Sequence, residues 1–203
     1  MTNSHESDDI FAGENPFEIF VSWLKQAKLK EVNDPDAIAL ATVDKEGVPN
    51  VRIVLLRVIE SESFVFFTNY NSKKGSEILS SGKAAFVCHW KSIRRQIRVR
   101  GVIAKDETNL SNEYFSQRPL ESKIGAWASR QSTELKNKEI LFEKIEKCRE
   151  ELGSNPKKPP FWGGFRLTPL EIEFWRDGEN RIHERLKYNK DNSGKWIKSL
   201  LSP

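Results

Sequence analysis

The chain has 203 residues, enough for one domain that buries its own core without disulfides. Its 33 basic and 29 acidic residues leave a net charge of +4, too balanced to call for a polyanion, so no nucleic-acid partner is expected. An apolar content of 37%, with 12 Phe and 6 Trp, excludes a disordered chain.

No stretch approaches the roughly 20 apolar residues of a membrane span, and MTNSHESDDIFAGENP lacks the basic and apolar regions of a secretory leader. No membrane partner is expected. Cys88 and Cys148 show no metal-ligand spacing, so neither a disulfide nor a metal site is expected, and a reducing cytoplasmic setting fits best.

Residues 1–14 are polar and unpatterned and read as a mobile arm; residues 15–203 show no repeat and no dividing linker and read as one domain. Asn15 is the expected N-cap of a first helix, with Pro16 at its first position, Glu18 completing a capping-box-like pattern, and Phe17, Phe20, Val21 and Leu24 at helical spacing. Strands are expected at AIALATV (37–43), VRIVLLRVI (51–59) and FVFFTNY (64–70), joined by short turns into an antiparallel meander. NSKKGSEILSSG predicts a helix capped by Asn71 or Ser72 and stopped at Gly82. AAFVCHW (84–90) and RQIRVRGVIA (95–104) add two strands, and five strands with one inserted helix suggest a barrel. NLSNEYFSQ reads as a helix, TELKNKEILFEKIEKCREELG as a long amphipathic helix ending at Gly153, and SNPKKPP (154–160) as a loop. PLEIEFW, RIHERLKY and a segment around Trp196 close the chain as β structure.

Four stretches carry chemistry. RIVLLR places Arg52 and Arg57 at the ends of an apolar run. An odd spacing sends them to opposite faces of a regular strand, where they either bind anions or reach out to solvent from the strand ends. NSKKGSE puts Lys73 and Lys74 in the first turn of a helix, whose free N–H groups already favour an anion; a phosphate seat and a solvated loop are both open. In YFSQRPLESKIGAW, Pro119 ends one helix and starts another, and Tyr114, Arg118 and Ser122 can converge at this joint on a phosphate, unless it is a plain surface joint. On a strand, Arg181, His183 and Arg185 of RIHER would share a face, needing either an anionic ligand or the acidic cross-strand neighbours Glu171 and Glu173. Trp175, across the DGEN turn, could flank the same site.

Together, RIVLLR, FFTNYNSKKG, RRQIRVRG, EYFSQRPLESKIGAWAS, FWGGFR and EFWRDGENRIHER closely resemble the pyridoxine/pyridoxamine 5′-phosphate oxidase family, in order and spacing, from about Asn15 to Pro203. The resemblance implies an α+β, mainly β fold: an antiparallel FMN-binding split β-barrel with flanking helices, as a homodimer holding one FMN at each of two sites across the interface. The FMN contacts it implies are Arg52, Ile53, Val54, Leu55, Leu56, Arg57, Phe67, Thr68, Lys73, Lys74, Gln96, Gln131, Ser132, Trp175 and Arg185. The substrate contacts it implies are Arg57, Tyr114, Arg118, Ser122, Arg181 and His183, the last two covering the pyridine ring in the catalytic role. Arg57 stands where the family usually has Lys, and Lys73 where it usually has Arg; both keep the charge and change its reach. The implied reaction oxidises pyridoxamine or pyridoxine 5′-phosphate with O2 to pyridoxal 5′-phosphate and hydrogen peroxide. A barrel that uses a deazaflavin or haem, or merely stores flavin, is the alternative; it would have no use for the Tyr114, Arg118 and Ser122 group or for Arg181 with His183.

Overall fold

The computed structural model describes residue 11 and residues 13–203; residues 1–10 and 12, most of the expected arm, lie outside the described residues. Of that arm's described residues, Phe11 packs its ring 5.8 Å from Trp23, the Gly13 carbonyl accepts from the Tyr188 hydroxyl, and Glu14 pairs with Lys198.

Helix α1 (Pro16–Lys30) starts where the sequence expects. The Asn15 side chain accepts from the Phe17 N–H, and Pro16 occupies a first-turn position whose N–H would have no helical partner. Its apolar stripe of Phe17, Phe20, Trp23, Leu24 and Ala27 is buried against the sheet, where Phe20 and Phe17 meet Phe64 at 4.8 and 5.0 Å and Trp23 meets Phe174 edge-on at 5.3 Å.

Nine strands follow: β1 (Ala37–Val43), β2 (Pro49–Leu55), β3 (Val58–Ile59), β4 (Phe64–Asn69), β5 (Lys83–Trp90), β6 (Arg95–Lys105), β7 (Trp162–Arg176), β8 (Glu184–Lys190) and β9 (Trp196–Leu201). They form one curled antiparallel sheet in the order β2-β1-β5-β6-β7-β4-β3, with β8 pairing β7 and β9. Helix α2 (Lys73–Ser81) is inserted between β4 and β5, and α3 (Leu110–Ser116), α4 (Leu120–Ala128) and α5 (Glu139–Leu152) lie between β6 and β7.

Several expectations are corrected. The run 51–59 is not one strand: β2 ends at Leu55, and β3 begins only at Val58. At the break the Leu56 N–H donates to the Asp36 carbonyl and the Arg57 N–H to the Val65 carbonyl, so the chain leaves β1 and joins β4. Leu56 stays buried, and an unbroken apolar run conceals the crossing. The meander fails for the same reason: β2 and β4 lie towards opposite ends of the strand order, and the curl of the sheet leaves the split of the barrel between them.

Strand β7 begins at Trp162, seven residues before PLEIEFW. It pairs with β6 along one edge, and with β4 and then β8 along the other. Two glycines mask its start; a Cβ on Gly163 would lie 2.0 Å from the Tyr70 hydroxyl, so the close approach requires glycine. Helix α5 starts at Glu139, not Thr133, because Asn137 accepts from the Ile140 N–H and Thr133 turns its hydroxyl back to the Arg130 carbonyl.

The RIHER segment is corrected most. Arg181 ends a 3-10 turn (Glu179–Arg181) with φ 65°, His183 precedes β8, and only Arg185 is on the strand, so the three do not share a strand face.

Candidate active site

The largest cleft at the split is about 630 Å³ and is lined by Asn50 to Leu55 of β2, Phe67 and Thr68 of β4, Lys73 and Lys74 of α2, and Gln131 and Ser132 after α4. Ser72 caps α2, its hydroxyl accepting from the Gly75 N–H, and Gly82 ends the helix in the left-handed region at φ 62°. A Cβ on Gly75 would lie 2.1 Å from the Tyr70 carbonyl oxygen, so glycine lets this helix start press against β4.

Lys74 is only 8% exposed, and its ammonium donates to Gln131 Oε1 at 3.0 Å, Ser72 Oγ at 3.3 Å and Thr68 Oγ1 at 3.4 Å, all neutral acceptors. Burial pushes its pKa down, the nearby Arg52 cation pushes it the same way, and Glu77 opposes them. Arg52 donates to the Leu40 carbonyl, to Thr42 Oγ1 and, at 3.2 Å, to Glu77 Oε2. Glu77 is 4% exposed. Burial would raise its pKa, but hydrogen bonds from Thr42 at 2.5 Å, Asn50 at 3.2 Å and Arg52 outweigh that and hold it below the usual carboxylate range. The cleft lining therefore brings together the cations Arg52, Lys73 and Lys74 and a helix N-terminus, with Glu77, behind Arg52, already committed to it.

Beside it, Phe67, Tyr114 and Trp162 stack nearly parallel: Phe67 and Tyr114 are 4.5 Å apart at 12°, and Tyr114 and Trp162 are 6.2 Å apart at 6°. Arginines bracket the stack, Arg57 lying 5.8 Å from the Tyr114 ring and Arg118 5.0 Å from the Trp162 ring. Arg57 pairs with Asp36 at 2.6 Å. Pro119 breaks the chain between α3 and α4 as expected, and Arg118 at that joint donates to the Ser122 carbonyl at 3.3 Å. Burial pushes the Arg118 pKa below its ordinary value, Tyr114 acts against this, and Arg57 adds repulsion. Arg57 already has the Asp36 carboxylate, so Arg118, whose partner at the joint is a carbonyl, is the one of the two that an anion would stabilise more.

The remaining expected residues lie elsewhere. Gln96, Trp175 and Arg185 are neighbours across β6, β7 and β8. Arg185 donates to Glu173 Oε1 at 2.8 and 2.9 Å, the cross-strand neutralisation open from the sequence, while Glu171 lines a different groove. Arg181 and His183 line a separate hollow of about 390 Å³ with Arg94 and Asp177. Leu56 belongs to the core.

Ten of the fifteen expected cofactor residues thus line one cleft, with Arg57, Tyr114, Arg118 and Ser122 grouped beside it, and none of Gln96, Trp175, Arg181, His183 or Arg185 borders that cleft. Sequence reasoning missed Glu77, Asp36, Trp162 and Asp177, the partners that hold these side chains. Glu77 had a signal: it follows Lys74 by three positions and precedes the buried Ile78, so it shares the inward face of α2.

The family profile described as pyridoxamine 5′-phosphate oxidase matches residues 24–151, and the one described as pyridoxine 5′-phosphate oxidase C-terminal dimerisation region matches residues 162–203. The pyridoxine/pyridoxamine 5′-phosphate oxidase of Roseobacter denitrificans is 52% identical over 194 residues, covering 95% of this chain and 96% of its own. That of Bartonella quintana is 48% identical over 208 residues, covering all of both. Among solved structures, PhzG from Burkholderia lata, in complex with tetrahydrophenazine-1-carboxylic acid, superposes with a TM-score of 0.88 at 29% identity over 95% of each chain. An FMN-binding protein from Nostoc punctiforme related to pyridoxamine 5′-phosphate oxidase shares the fold, with a TM-score of 0.74 at 16% identity over 93% of this chain and 98% of its own. With matching profiles over most of its length and relatives at about half identity throughout, this chain belongs to the pyridoxamine 5′-phosphate oxidase family.

Proposed function

We propose that this protein is an FMN-dependent oxidase that converts pyridoxamine or pyridoxine 5′-phosphate, with O2, to pyridoxal 5′-phosphate and hydrogen peroxide, the amine also consuming water and releasing ammonia. The observation that carries the reading is Lys74, a buried ammonium bonded only to neutral oxygens at a helix N-terminus. Such a group gains most from a bound dianion, which restores the Coulombic stabilisation that burial removes.

The residues fit the cofactor. Lys73, Lys74, Ser132 and Arg52 would hold its phosphate end, and Gln131, Thr68 and the β2 residues Ile53 to Leu55 would border the remainder. FMN, when bound, supplies the two-electron acceptor that O2 then reoxidises. The chain's own groups bind and orient: Arg57, Tyr114, Arg118 and Ser122 grip the substrate phosphate, and Arg181 and His183 cover the pyridine ring. Holding the reacting carbon in one pose is their chief contribution to rate.

The working site spans a homodimer. The 162–203 dimerisation match covers Trp175, Arg181, His183 and Arg185, which are absent from the cleft lining, and this supports a site that takes its ring-covering groups from the partner. Exposed Val51 and Ile53, at 64% and 65%, give β2 an apolar outer face suited to a second copy. Among the described residues no helix is long and apolar enough to cross a membrane.

The test is an absorbance spectrum of the purified protein, followed by peroxide release on adding pyridoxamine 5′-phosphate or, separately, a tetrahydrophenazine carboxylic acid. Flavin absorbance with peroxide from the vitamer supports the reading. A protein without flavin affinity, or one that turns over only the phenazine, overturns it.

A further inference from the structure

Asp177 sits in the loop between β7 and β8, with its side chain 16% exposed and both carboxylate oxygens occupied. Oδ1 lies 3.1 Å from His183 Nδ1, and Oδ2 pairs with the Arg94 guanidinium. Its backbone is tied to the same neighbour, since the Asp177 N–H donates to the Arg94 carbonyl at 3.1 Å. The His183 N–H donates to the Arg181 carbonyl at 3.0 Å, and the imidazole leans on Trp175, with ring centroids 4.8 Å apart. Arg94, Asn180 and Arg181 all have φ between 53° and 65°, a left-handed conformation that side chains resist, so the surrounding contacts hold this corner in place.

Two groups compete for Nδ1. The Gly178 N–H approaches it at 3.3 Å, which would need a bare nitrogen, whereas the Asp177 carboxylate at 3.1 Å needs a protonated one. A carboxylate facing a bare lone pair is repulsive, and a charge-assisted hydrogen bond is about twice as strong as a neutral one, so the carboxylate decides. Among the described residues, both polar contacts of the ring fall on Nδ1, the Gly178 N–H as a hydrogen bond and the Asp177 carboxylate at ion-pair distance.

We infer that Asp177 is a positioning residue that locks His183 in the tautomer with its proton on Nδ1, leaving Nε2 bare to accept a hydrogen bond from a donor on the substrate. The partner group is therefore an N–H or O–H of the vitamer, not its phosphate or a carbonyl oxygen. The inference rests on the proposed substrate role of His183, and it adds a residue, Asp177, and a protonation state to that role. In the neutral ring, the hydrogen bond that one nitrogen makes sets the protonation state of the other.

The test is nitrogen-15 NMR of the His183 ring in the FMN-loaded enzyme, read at high pH in the neutral ring, with steady-state kinetics alongside. Wild type is expected to show Nδ1–H. Asp177→Ala is expected to move the population towards Nε2–H and to lower kcat about 10- to 100-fold, as loss of one charge-assisted hydrogen bond would, with KM changing far less and FMN retained. Arg94→Ala, which leaves the Nδ1 contact in place, is expected to keep the tautomer. An Nε2–H ring in wild type, or a tautomer indifferent to Asp177→Ala, overturns the lock, and the wild-type spectrum decides even if the variant fails to fold. A tautomer that follows Asp177 while His183→Ala leaves kcat unchanged upholds the lock and overturns the substrate role given to His183.

Discussion

The α2 cleft and the β7–β8 corner are built in opposite ways. In the cleft the inner groups are buried on regular elements: Lys74 and Glu77 share one face of α2 and are 8% and 4% exposed, and Arg52 projects from β2 onto Glu77, while Lys73, Gln131 and Ser132 are exposed. At the corner, Arg181 is exposed, the His183 side chain is 25% exposed, and both ride on a loop held by Asp177 and Arg94. The difference teaches a division of labour. On the proposed roles, the inner contacts of the cofactor are set in a rigid frame, and the groups proposed to meet each passing substrate stay accessible on a loop.

The contrast predicts unequal costs of mutation. Glu77→Ala leaves the Arg52 guanidinium without its carboxylate in a largely buried setting. It should cost about 3 kcal/mol, the lower end for breaking a buried pair because Arg52 keeps some exposure. Asp177→Ala should cost about 1 kcal/mol or less, as a half-exposed pair does. Urea unfolding of the flavin-free proteins measures both, and equal losses would erase the distinction.

Lys74→Ala should weaken FMN by about 1.5 to 3 kcal/mol, the value of one hydrogen bond to a charged group, with little change in substrate KM once flavin saturates. Fluorescence titration of the flavin-free variant reads this, and unchanged affinity would remove Lys74 from the phosphate seat. Arg118→Ala should do the reverse. KM for pyridoxamine 5′-phosphate should rise roughly 10- to 100-fold, or about 1.4 to 2.8 kcal/mol, with the flavin spectrum intact. Loss of flavin from that variant would transfer Arg118 to the cofactor.

The last effect is one of pH. Complete burial raises the Cys88 thiol well above its ordinary range. A folded pKa above the unfolded one gives a contribution fully present below the unfolded thiol's pKa and lost as pH rises past it. One unit above that value, about 1.4 kcal/mol should be gone. Alkylation of the native protein should therefore label half-buried Cys148 and spare Cys88, and rapid labelling of Cys88 would refute the burial.

The sequence announced the elements better than their connections. Caps such as Asn15, Ser72 and Gly82 act within one turn of chain, so the helix ends they mark were legible. The break at Leu56 was not, because the partner exchange from β1 to β4 depends on strands far apart in the chain. RIHER misled for a related reason: an alternating pattern reads as a strand, but the Asp177 and Arg94 contacts fold its first half into a turn. The cationic members of the site, with Phe67 and Tyr114, were visible as motifs, whereas Trp162 was not singled out. Their acidic holders, Glu77, Asp36 and Asp177, were hidden because an acid's partner is chosen by tertiary packing.

That the working site joins the cleft of one chain to the corner of its partner is tested most directly by mixing two inactive variants. At a flavin concentration too low to fill the weakened cleft, Lys74→Ala disables the cleft, and His183→Ala disables the corner; dimers of the two are refolded or co-expressed together at equal amounts. If the site is shared between subunits, each mixed dimer holds one site with both halves intact, and activity should return to about one quarter of wild type at random pairing. If every site is built within a single chain, no mixed dimer contains an intact one, and the mixture stays as inactive as its components.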